Sequence, residues 1–263
     1  MVALKFVLIV IVSYFCGNIT FARIFAKRRN DDITKHGSGN PGTMNMLRTH
    51  GVTMGVITLI FDAVKAAIPC LISSLVLFSD QPYLADVSIY VAGLACIIGH
   101  MYPVIFKFKG GKGVASAFGM AMVANPLVTG IGLVLFIITL VLFKIASLSS
   151  MLCAFGFVVT QTVLLALKDY YLSISLLWVV FFLIIYAHRS NIKRMLNKKE
   201  NKINLQEVVQ KDIDYANSKK EKRKQRKLEK QQKKNNVVET ADVKAEEDNV
   251  ALEKVNEENK VTE

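Results

Sequence analysis

Three lysines, one histidine and three further glycines follow Gly99 in the fifteen residues that end at Gly113. The Gly-Gly-x-Gly backbone of this loop permits close approach and positive φ, so several N–H groups could turn toward one anion. A helix that begins at Val114 would add its positive end. We therefore expect a phosphate cradle here, although a basic loop that touches lipid headgroups is the alternative. No serine or threonine directly follows Lys112, so the loop is not the Gly-Lys-Ser/Thr nucleotide loop, which places its magnesium-binding hydroxyl there.

A second polar cluster lies between Ser38 and Gly51. It offers hydroxyl and amide groups on a frame of glycine and proline, from Ser38, Asn40, Thr43 and Asn45. Arg48 follows Asn45 by three residues, so both would share a face of a helix that begins here. A guanidinium group suits bidentate phosphate binding. Helix capping would explain one of these polar residues, but not the whole set beside an arginine.

The third cluster is His188–Arg194, at the end of an apolar run. Taken alone, it is typical of the positive charge that flanks a membrane span on the inner side. Together with the other two clusters, it predicts the third wall of one anion-binding pocket.

Long apolar runs must position these clusters. The chain is 52% hydrophobic with a net charge of +12. Val2–Ala22 has about 21 residues, long enough to cross roughly 30 Å of hydrocarbon as helix. The further apolar runs are Gly51–Phe78, Tyr83–Ile98, Val114–Phe143, Met151–Leu167 and Leu172–Ala187. We therefore expect an all-α integral membrane protein with a membrane domain over residues 1–203. Residues 204–263 should form a charged cytoplasmic tail that is flexible or partly helical.

Loop charge predicts the topology. If Val114–Phe143 turns back at Asn125-Pro126, the chain crosses seven times, with its amino terminus outside and its tail cytoplasmic. The loops that then share the inner face hold six, three and one basic residues, and residues 188–263 hold twenty. A single crossing would place the tail outside, against the positive-inside bias. Each half of the run is only about 15 residues, so one half could be tilted or incompletely inserted.

The basic balance favours anionic lipid over nucleic acid as the partner of the loops and tail, because the tail lacks the interleaved aromatic residues of a base-stacking surface. The four cysteines all lie in apolar runs without a Cys-x-x-Cys pair, which indicates buried free thiols. Asp62 and Lys65 share a helix face inside the second run. Such charges serve a function or pair with each other, and we weigh the two equally.

The three clusters together resemble the acyl-phosphate-dependent glycerol-3-phosphate acyltransferases of bacterial membranes (PlsY). The resemblance covers about residues 2–203. Its motifs are Ser-Gly-Asn-x-Gly-x-x-Asn-x-x-Arg from Ser38, Gly-His-x-x-Pro-Val and Lys-x-Lys-Gly-Gly-Lys-Gly-Val-Ala between Gly99 and Ala115, Ser-Leu-x-Ser from Ser147, and His-Arg-x-Asn-Ile-x-Arg from His188, followed by Glu200 and Asn201. Two positions depart from the family pattern: Met44 replaces a small polar residue and Lys198 replaces a glycine.

The resemblance implies transfer of an acyl group from acyl phosphate to sn-glycerol 3-phosphate, which gives 1-acyl-glycerol 3-phosphate and phosphate. It implies no cofactor and no metal, a functional link to an enzyme that produces acyl phosphate, and a bacterial plasma membrane. The implied catalytic residues are Ser38, Arg48, His188 and Asn191. These four would bind glycerol 3-phosphate with Asn40 and Asn45; Lys109, Gly110, Gly111, Lys112 and Gly113 would bind acyl phosphate; and His100, Ser147, Ser150 and Arg189 would support the site.

Two questions stay open at this point. His188 and the departing phosphate both qualify as the group that accepts the hydroxyl proton. A transporter for a phosphorylated metabolite would also use a cationic pocket, although the predicted outer turns are short and lack a cationic lining.

Overall fold

The computed structural model describes residues 1–230 of the chain, and within that part it is built from helices and loops without a strand. The α-helices are α1 (Val2–Asn18), α2 (Phe21–Lys27), α3 (Thr43–His50), α4 (Val52–Ile72), α5 (Pro82–Met101), α6 (Val114–Ala124), α7 (Pro126–Phe143), α8 (Ala146–Ala166), α9 (Tyr171–Ala187) and α10 (Arg189–Leu196). Residues 205–230 are also helical.

Five helical segments of the described chain are long and apolar enough to cross a membrane: Val2–Lys27, Val52–Leu77, Pro82–Phe106, Pro126–Phe143 and Ala146–Ala166. A sixth is added when α9 and α10, which meet at 54°, are counted as one bent span. Helix α6 is apolar but has 11 residues, too short for a full crossing. The all-α membrane architecture is confirmed, while the count of seven crossings and the orientation stay predictions.

The predicted break at Asn125-Pro126 is present. Helix α6 ends at Ala124 and α7 begins at Pro126, the first-turn position that tolerates a missing N–H. Asn125 caps α7 by accepting a hydrogen bond from Val128 N at 3.2 Å. Its Nδ2 donates to Gln161 at 3.2 Å, which fastens the break to α8.

Helix α5 forms the centre of the main core. It contributes buried residues along most of its length, among them Tyr90, Ile97 and Met101, and packs against α1, α4, α6 and α9. The outer faces of α1 and α7 are apolar and exposed, as lipid contact requires. Because the carboxyl end of α5 leads directly into the glycine-lysine loop, this rigid helix positions that loop.

The chain divides into two compact units, Met1–Asp212 and a second unit that begins at Ile213. The expected domain boundary after residue 203 stays a prediction, but residues 204–212 belong to the first unit. The described part of the second unit, residues 213–230, is helical and mostly exposed. The predicted tail beyond residue 230 lies outside the described residues.

Candidate active site

The Ser38 loop is held by Asn45 of α3. Asn45 Oδ1 accepts a hydrogen bond from Ser38 N at 2.9 Å, and Asn45 Nδ2 donates to the carbonyls of Ile33 and His36, both at 3.0 Å. These bonds use both amide hydrogens and the amide oxygen of a side chain that is 1% exposed. Asn45 therefore fixes the backbone that presents Ser38, and its predicted contact with substrate stays a prediction.

Arg48 lies one turn after Asn45 on α3, as the spacing predicts. Its Nη2 lies 3.4 Å from the carbonyl oxygen of Asn201, and its Nε is buried without a partner among the described residues. Burial lowers the pKa of Arg48, and the nearby carboxylate of Glu200 opposes that shift. An arginine stays charged under these conditions, so Arg48 presents a cation with unused donor capacity to the cavity beside it.

The glycine loop differs from the expected cradle. Gly110 N and Gly111 N donate to the carbonyls of Met101 and His100, at 3.2 and 3.1 Å, and so terminate α5. These two N–H groups are therefore already paired with carbonyls in this structure, and the binding of acyl phosphate at Gly110 and Gly111 stays a prediction. A Cβ on Gly111 would lie 2.1 Å from His100 Nε2, so the glycine is required for close packing. The amides that remain for an anion are those at the start of α6, after Gly113 at φ +81°.

Lys112, Asn191 and Glu200 form a hydrogen-bonded row beside α6. Lys112 Nζ donates to Asn191 Oδ1, and Asn191 Nδ2 donates to Glu200 Oε1 at 2.6 Å. Glu200 also accepts from Ser147 Oγ and from Arg194 Nε, each at 2.8 Å. These bonds outweigh burial, which raises the pKa of Glu200, and hold that pKa below its ordinary value. Glu200 is thus an anionic hub that orients three polar partners.

The surroundings of Lys112 shift the titration of its ammonium group. Burial lowers the pKa of its ammonium group to about 8, while Glu200 raises it and Arg194 and Arg48 lower it further. The group is therefore charged at neutral pH but only weakly hydrated. A desolvated ammonium that faces a cavity is well suited to attract an anionic ligand.

His188 lies at the bend between α9 and α10 and is 2% exposed. Its Nδ1 is 2.8 Å from Ile184 O. Because a carbonyl can only accept, this contact assigns the proton of a neutral ring to Nδ1 and leaves the lone pair on Nε2. His188 lines the same cavity as Arg48 and Lys112, so it can orient a hydroxyl group there.

Two cavities meet at this centre. The larger, of about 870 Å³, is lined mainly by the Ser38 loop, the glycine-lysine loop and α10. The second, of about 420 Å³, continues between apolar residues of α6 and α7, including Phe118, Phe136 and Leu140. Both cavities are lined by the same five polar residues: Ser38, Asn40, Lys112, Asn191 and Arg194.

The remaining predicted residues divide into two groups. Ser147, Ser150, Gly113 and His100 line the second cavity, whereas Lys109, Gly110, Gly111 and Arg189 line the larger one. Ser150 Oγ donates to Ala146 O within α8, and Arg189 packs over the Tyr186 ring at 4.4 Å. The structure thus brings Ser38, Arg48, Lys112, His188 and Asn191 to one centre, and places Lys109 and Arg189 farther out.

Asp62 and Lys65 pair with each other in the interior. Lys65 Nζ lies 2.7 Å from Asp62 Oδ1, a close charge pair rather than a well-aligned hydrogen bond. The same Nζ contacts His100 Nδ1 at 2.9 Å and Ile19 O at 2.6 Å. This network lies directly behind the glycine loop, because His100 packs on Gly111.

Sequence reasoning gave no individual role to Arg194 or Glu200, although the first belongs to the third cluster and the second follows it, and it did not foresee which apolar residues line the second cavity. Glu200 follows the His188 cluster by six residues in a polar stretch, so its spacing gave no helical face that pointed to the site. The backbone conformation of Lys198 reflects one of the two departures from the family pattern. Lys198 has φ +55°, a conformation that favours glycine, and glycine is the residue that the resemblance predicts there.

Comparison with known proteins identifies the family. The model of the family described as "Glycerol-3-phosphate acyltransferase" matches residues 7–198. The glycerol-3-phosphate acyltransferase of Finegoldia magna is 37% identical over 202 residues, which cover 76% of this chain and 97% of that protein. Glycerol-3-phosphate acyltransferase 2 of Bacillus anthracis is 39% identical over 198 residues, 75% of this chain and 98% of its own length.

Solved structures agree with this match. The crystal structure of PlsY (YgiH), an integral membrane glycerol 3-phosphate acyltransferase, superposes in its glycerol 3-phosphate form with a TM-score of 0.68 at 33% identity, covering 78% of this chain and 98% of that one. Its lysophosphatidic acid form gives 0.66 at 34% identity. The family match extends over more than half of the chain and the relatives align over almost their whole length, so the chain belongs to the glycerol-3-phosphate acyltransferase family and is a multi-pass membrane acyltransferase.

Proposed function

We propose that the protein transfers the acyl group of an acyl phosphate to sn-glycerol 3-phosphate and releases 1-acyl-glycerol 3-phosphate and phosphate. One observation carries the proposal: a polar cavity and an apolar cavity share five polar residues at a cationic centre. One reactant of this reaction is soluble in water and the other carries a fatty chain, so they require two routes of different polarity to one point.

The acyl phosphate fits the second cavity. Its chain would lie between α6 and α7 against Phe118, Leu133, Phe136, Ile137 and Leu140, which face the cavity from the apolar side. Its phosphate would then lie at the start of α6, where Lys112 supplies charge and the first helical amides supply donors. This arrangement holds the carbonyl carbon beside the polar centre.

Glycerol 3-phosphate would enter through the larger cavity. Arg23, Lys109 and Arg189 on its wall make that route cationic, which attracts a dianion from solution. At the centre, Arg48 and Arg194 provide guanidinium groups for the phosphate, while Ser38 and Asn40 provide neutral polar contacts. The acceptor hydroxyl then points toward His188.

The chemistry needs positioning and charge stabilisation. The acceptor hydroxyl oxygen forms a bond to the carbonyl carbon, the bond from that carbon to the phosphate oxygen breaks, and phosphate leaves with its electron pair. The hydroxyl proton goes to His188 Nε2 or to the departing phosphate. Lys112 stabilises the negative charge that develops on the phosphate, and water exclusion by the apolar cavity limits hydrolysis of the acyl phosphate.

We also propose where the protein lies in the cell and which side of the membrane its polar clusters face. The relatives with these names come from bacteria, which supports the bacterial plasma membrane as the location. The seven-pass topology would place the three polar clusters on the cytoplasmic side, where glycerol 3-phosphate is soluble. Acyl phosphate is reactive, so an enzyme that produces acyl phosphate must supply it nearby.

Purified full-length protein in nanodiscs tests the function. With palmitoyl phosphate and radiolabelled glycerol 3-phosphate, in EDTA and without coenzyme A, we expect one 1-acyl-glycerol 3-phosphate for each phosphate released above the rate of spontaneous hydrolysis. Flux of glycerol 3-phosphate into liposomes without product would instead favour a transporter. Absence of product with a properly folded protein would contradict the proposal.

A further inference from the structure

Helices α3 and α4 meet at a single residue. Gly51 ends α3 and also precedes the first residue of α4, with φ +93° and ψ 175°. A glycine suits that conformation, but it has no side chain with which to cap either helix. Leu47 of α3 packs directly on Gly55 of α4, and contacts from elsewhere in the chain add to this packing in fixing the angle between α4 and α3, which carries Arg48.

Lys211 contacts the end of α3. Its Nζ donates to Arg48 O at 2.7 Å and to Glu207 Oε1 at 2.8 Å. The last carbonyls of a helix lack partners inside the helix, and a cation at that end also interacts favourably with the helix dipole. Lys211 thus caps the carboxyl end of α3 at the residue whose side chain faces the cationic centre.

Asp212, the next residue, contacts the beginning of α4. Its Oδ2 accepts a hydrogen bond from Thr53 N at 3.1 Å, in the first turn of that helix. A Cβ placed on Gly51 would lie 2.4 Å from Asp212 Oδ1, so the carboxylate occupies the space beside the glycine. The Asp212 carboxylate therefore caps α4 in place of the side chain that Gly51 lacks.

The segment that carries this pair is anchored to the site as well. Ile203 N donates to Lys144 O at 2.8 Å, and Ile203 and Val208 are each 2% exposed. They form one apolar cluster with Ala146, against which Met44 and Leu47 of α3 pack. The segment 203–212 is therefore fixed between α3 and the start of α8 by buried contacts rather than by surface charge alone.

The segment lies beyond the family match, which ends at residue 198. The relatives named above align over 97 and 98% of their own length but over 76 and 75% of this chain. We propose that residues 203–212 form a clamp that sets the angle between α3 and α4, with Lys211 and Asp212 as residues that position Arg48 for glycerol 3-phosphate. The proposal rests on the role given above to Arg48.

The experiment compares K211M, K211R and D212A in the full-length chain, with K219M as the control. Lys219 lies in the second unit and is exposed, so K219M removes the same charge outside the clamp. The readouts are KM for each substrate and hydrogen exchange of the amides from Arg48 to Thr53.

We expect K211M and D212A to raise KM for glycerol 3-phosphate three- to tenfold, with KM for acyl phosphate unchanged within twofold. Exchange at Thr53 should rise at least fivefold in D212A, which has no acceptor for that amide. K211R, which keeps a cationic donor, should return KM to within twofold of the wild type, and K219M should match the wild type.

An unchanged KM for glycerol 3-phosphate in both K211M and D212A would overturn the positioning role, whatever the exchange data show. An equal effect in K219M would also overturn it, since tail charge alone would then be the cause. If the wild-type protein makes no product, the proposed function fails separately, and unchanged exchange at the α3–α4 junction would overturn the clamp itself.

Discussion

Asn191 Nδ2 donates a hydrogen bond of 2.6 Å to Glu200 Oε1. Asn191 Oδ1 accepts a hydrogen bond from Lys112 Nζ. Because Asn191 bonds to both groups, the position of the Glu200 carboxylate determines where the Lys112 ammonium group lies. Glu200 contributes a carboxylate to a cluster that also holds Arg48, Lys112 and Arg194. It partly balances that charge, and the remaining positive charge is available to anionic ligands.

Glu200→Gln should therefore lower kcat/KM about 10- to 100-fold. The amide keeps the size of the side chain but removes the charge that holds Arg194 and Asn191, and charged hydrogen bonds of this kind contribute about 1.5–3 kcal/mol each. Steady-state kinetics measure the loss, with Glu221→Gln as an exposed control in the second unit. Equal activity of Glu200→Gln and Glu221→Gln would show that the charge of Glu200 does not orient the polar residues of the site.

The pKa of Lys112 predicts a dependence of donor binding on pH. The group is charged below about pH 8 and loses its charge as the pH rises through that value. Only the charged form attracts the acyl phosphate, so KM for acyl phosphate should be constant below about pH 8 and rise about tenfold per pH unit above it. Lys112→Arg should flatten this profile, because a guanidinium stays charged. A profile of the same shape in both proteins would assign the titration to another group.

His188 should be required for the chemical step. His188→Gln keeps a polar side chain but offers no imidazole lone pair, so we expect kcat to fall at least 100-fold while KM for both substrates changes less than fivefold. His36, an exposed histidine that pairs with Asp31 at 2.7 Å, provides the matched control. A kcat for His188→Gln within threefold of the wild type would leave the departing phosphate as the proton acceptor.

The preference for acyl-chain length should depend on Gly132 of α7. A cavity of about 110 Å³ continues past Phe136 and is lined by Gly132, and a Cβ there would meet nothing within 4 Å. Gly132→Phe should fill this space and reduce kcat/KM for palmitoyl phosphate at least tenfold relative to octanoyl phosphate. Gly130 has equally open space but lines none of these cavities, so Gly130→Phe should keep the wild-type ratio. Identical ratios in the two variants would place the chain elsewhere.

Asn45 should contribute mainly to stability. Asn45→Asp preserves the shape but turns two donors toward the carbonyls of Ile33 and His36 into acceptors. Losing both bonds in a buried position should cost about 2–4 kcal/mol and lower the midpoint of thermal unfolding. A rise in KM for glycerol 3-phosphate without loss of stability would instead support a direct contact with substrate.

Much of this architecture is predictable from the sequence because its signals are local. Apolar runs of membrane length predict the helices, and Asn125-Pro126 predicts the break that separates α6 from α7. The three polar clusters follow from the positions of Ser38, Lys112 and His188 between those runs. Each of these inferences needs only residues that are neighbours in the chain.

The parts that sequence reasoning missed depend on distant contacts. Glu200 becomes a hub only when Ser147 of α8 and Asn191 of α10 meet it. The N–H groups of Gly110 and Gly111 could point at a ligand or bond to the last carbonyls of α5. The sequence of the loop is the same in either case. Lys211 and Asp212 lie in a charged stretch without apolar periodicity, so only the fold reveals that they bracket Gly51.

In the proposed reaction, two substrates reach one cationic centre by separate routes. Initial rates of Arg48→Met and Lys112→Met, measured against both substrates in nanodiscs, decide whether the routes are separate. We predict that Lys112→Met raises KM for acyl phosphate more than tenfold and leaves KM for glycerol 3-phosphate within threefold, and that Arg48→Met does the reverse. A rise in KM for the same substrate in both variants, or wild-type kinetics in either one, would contradict the account.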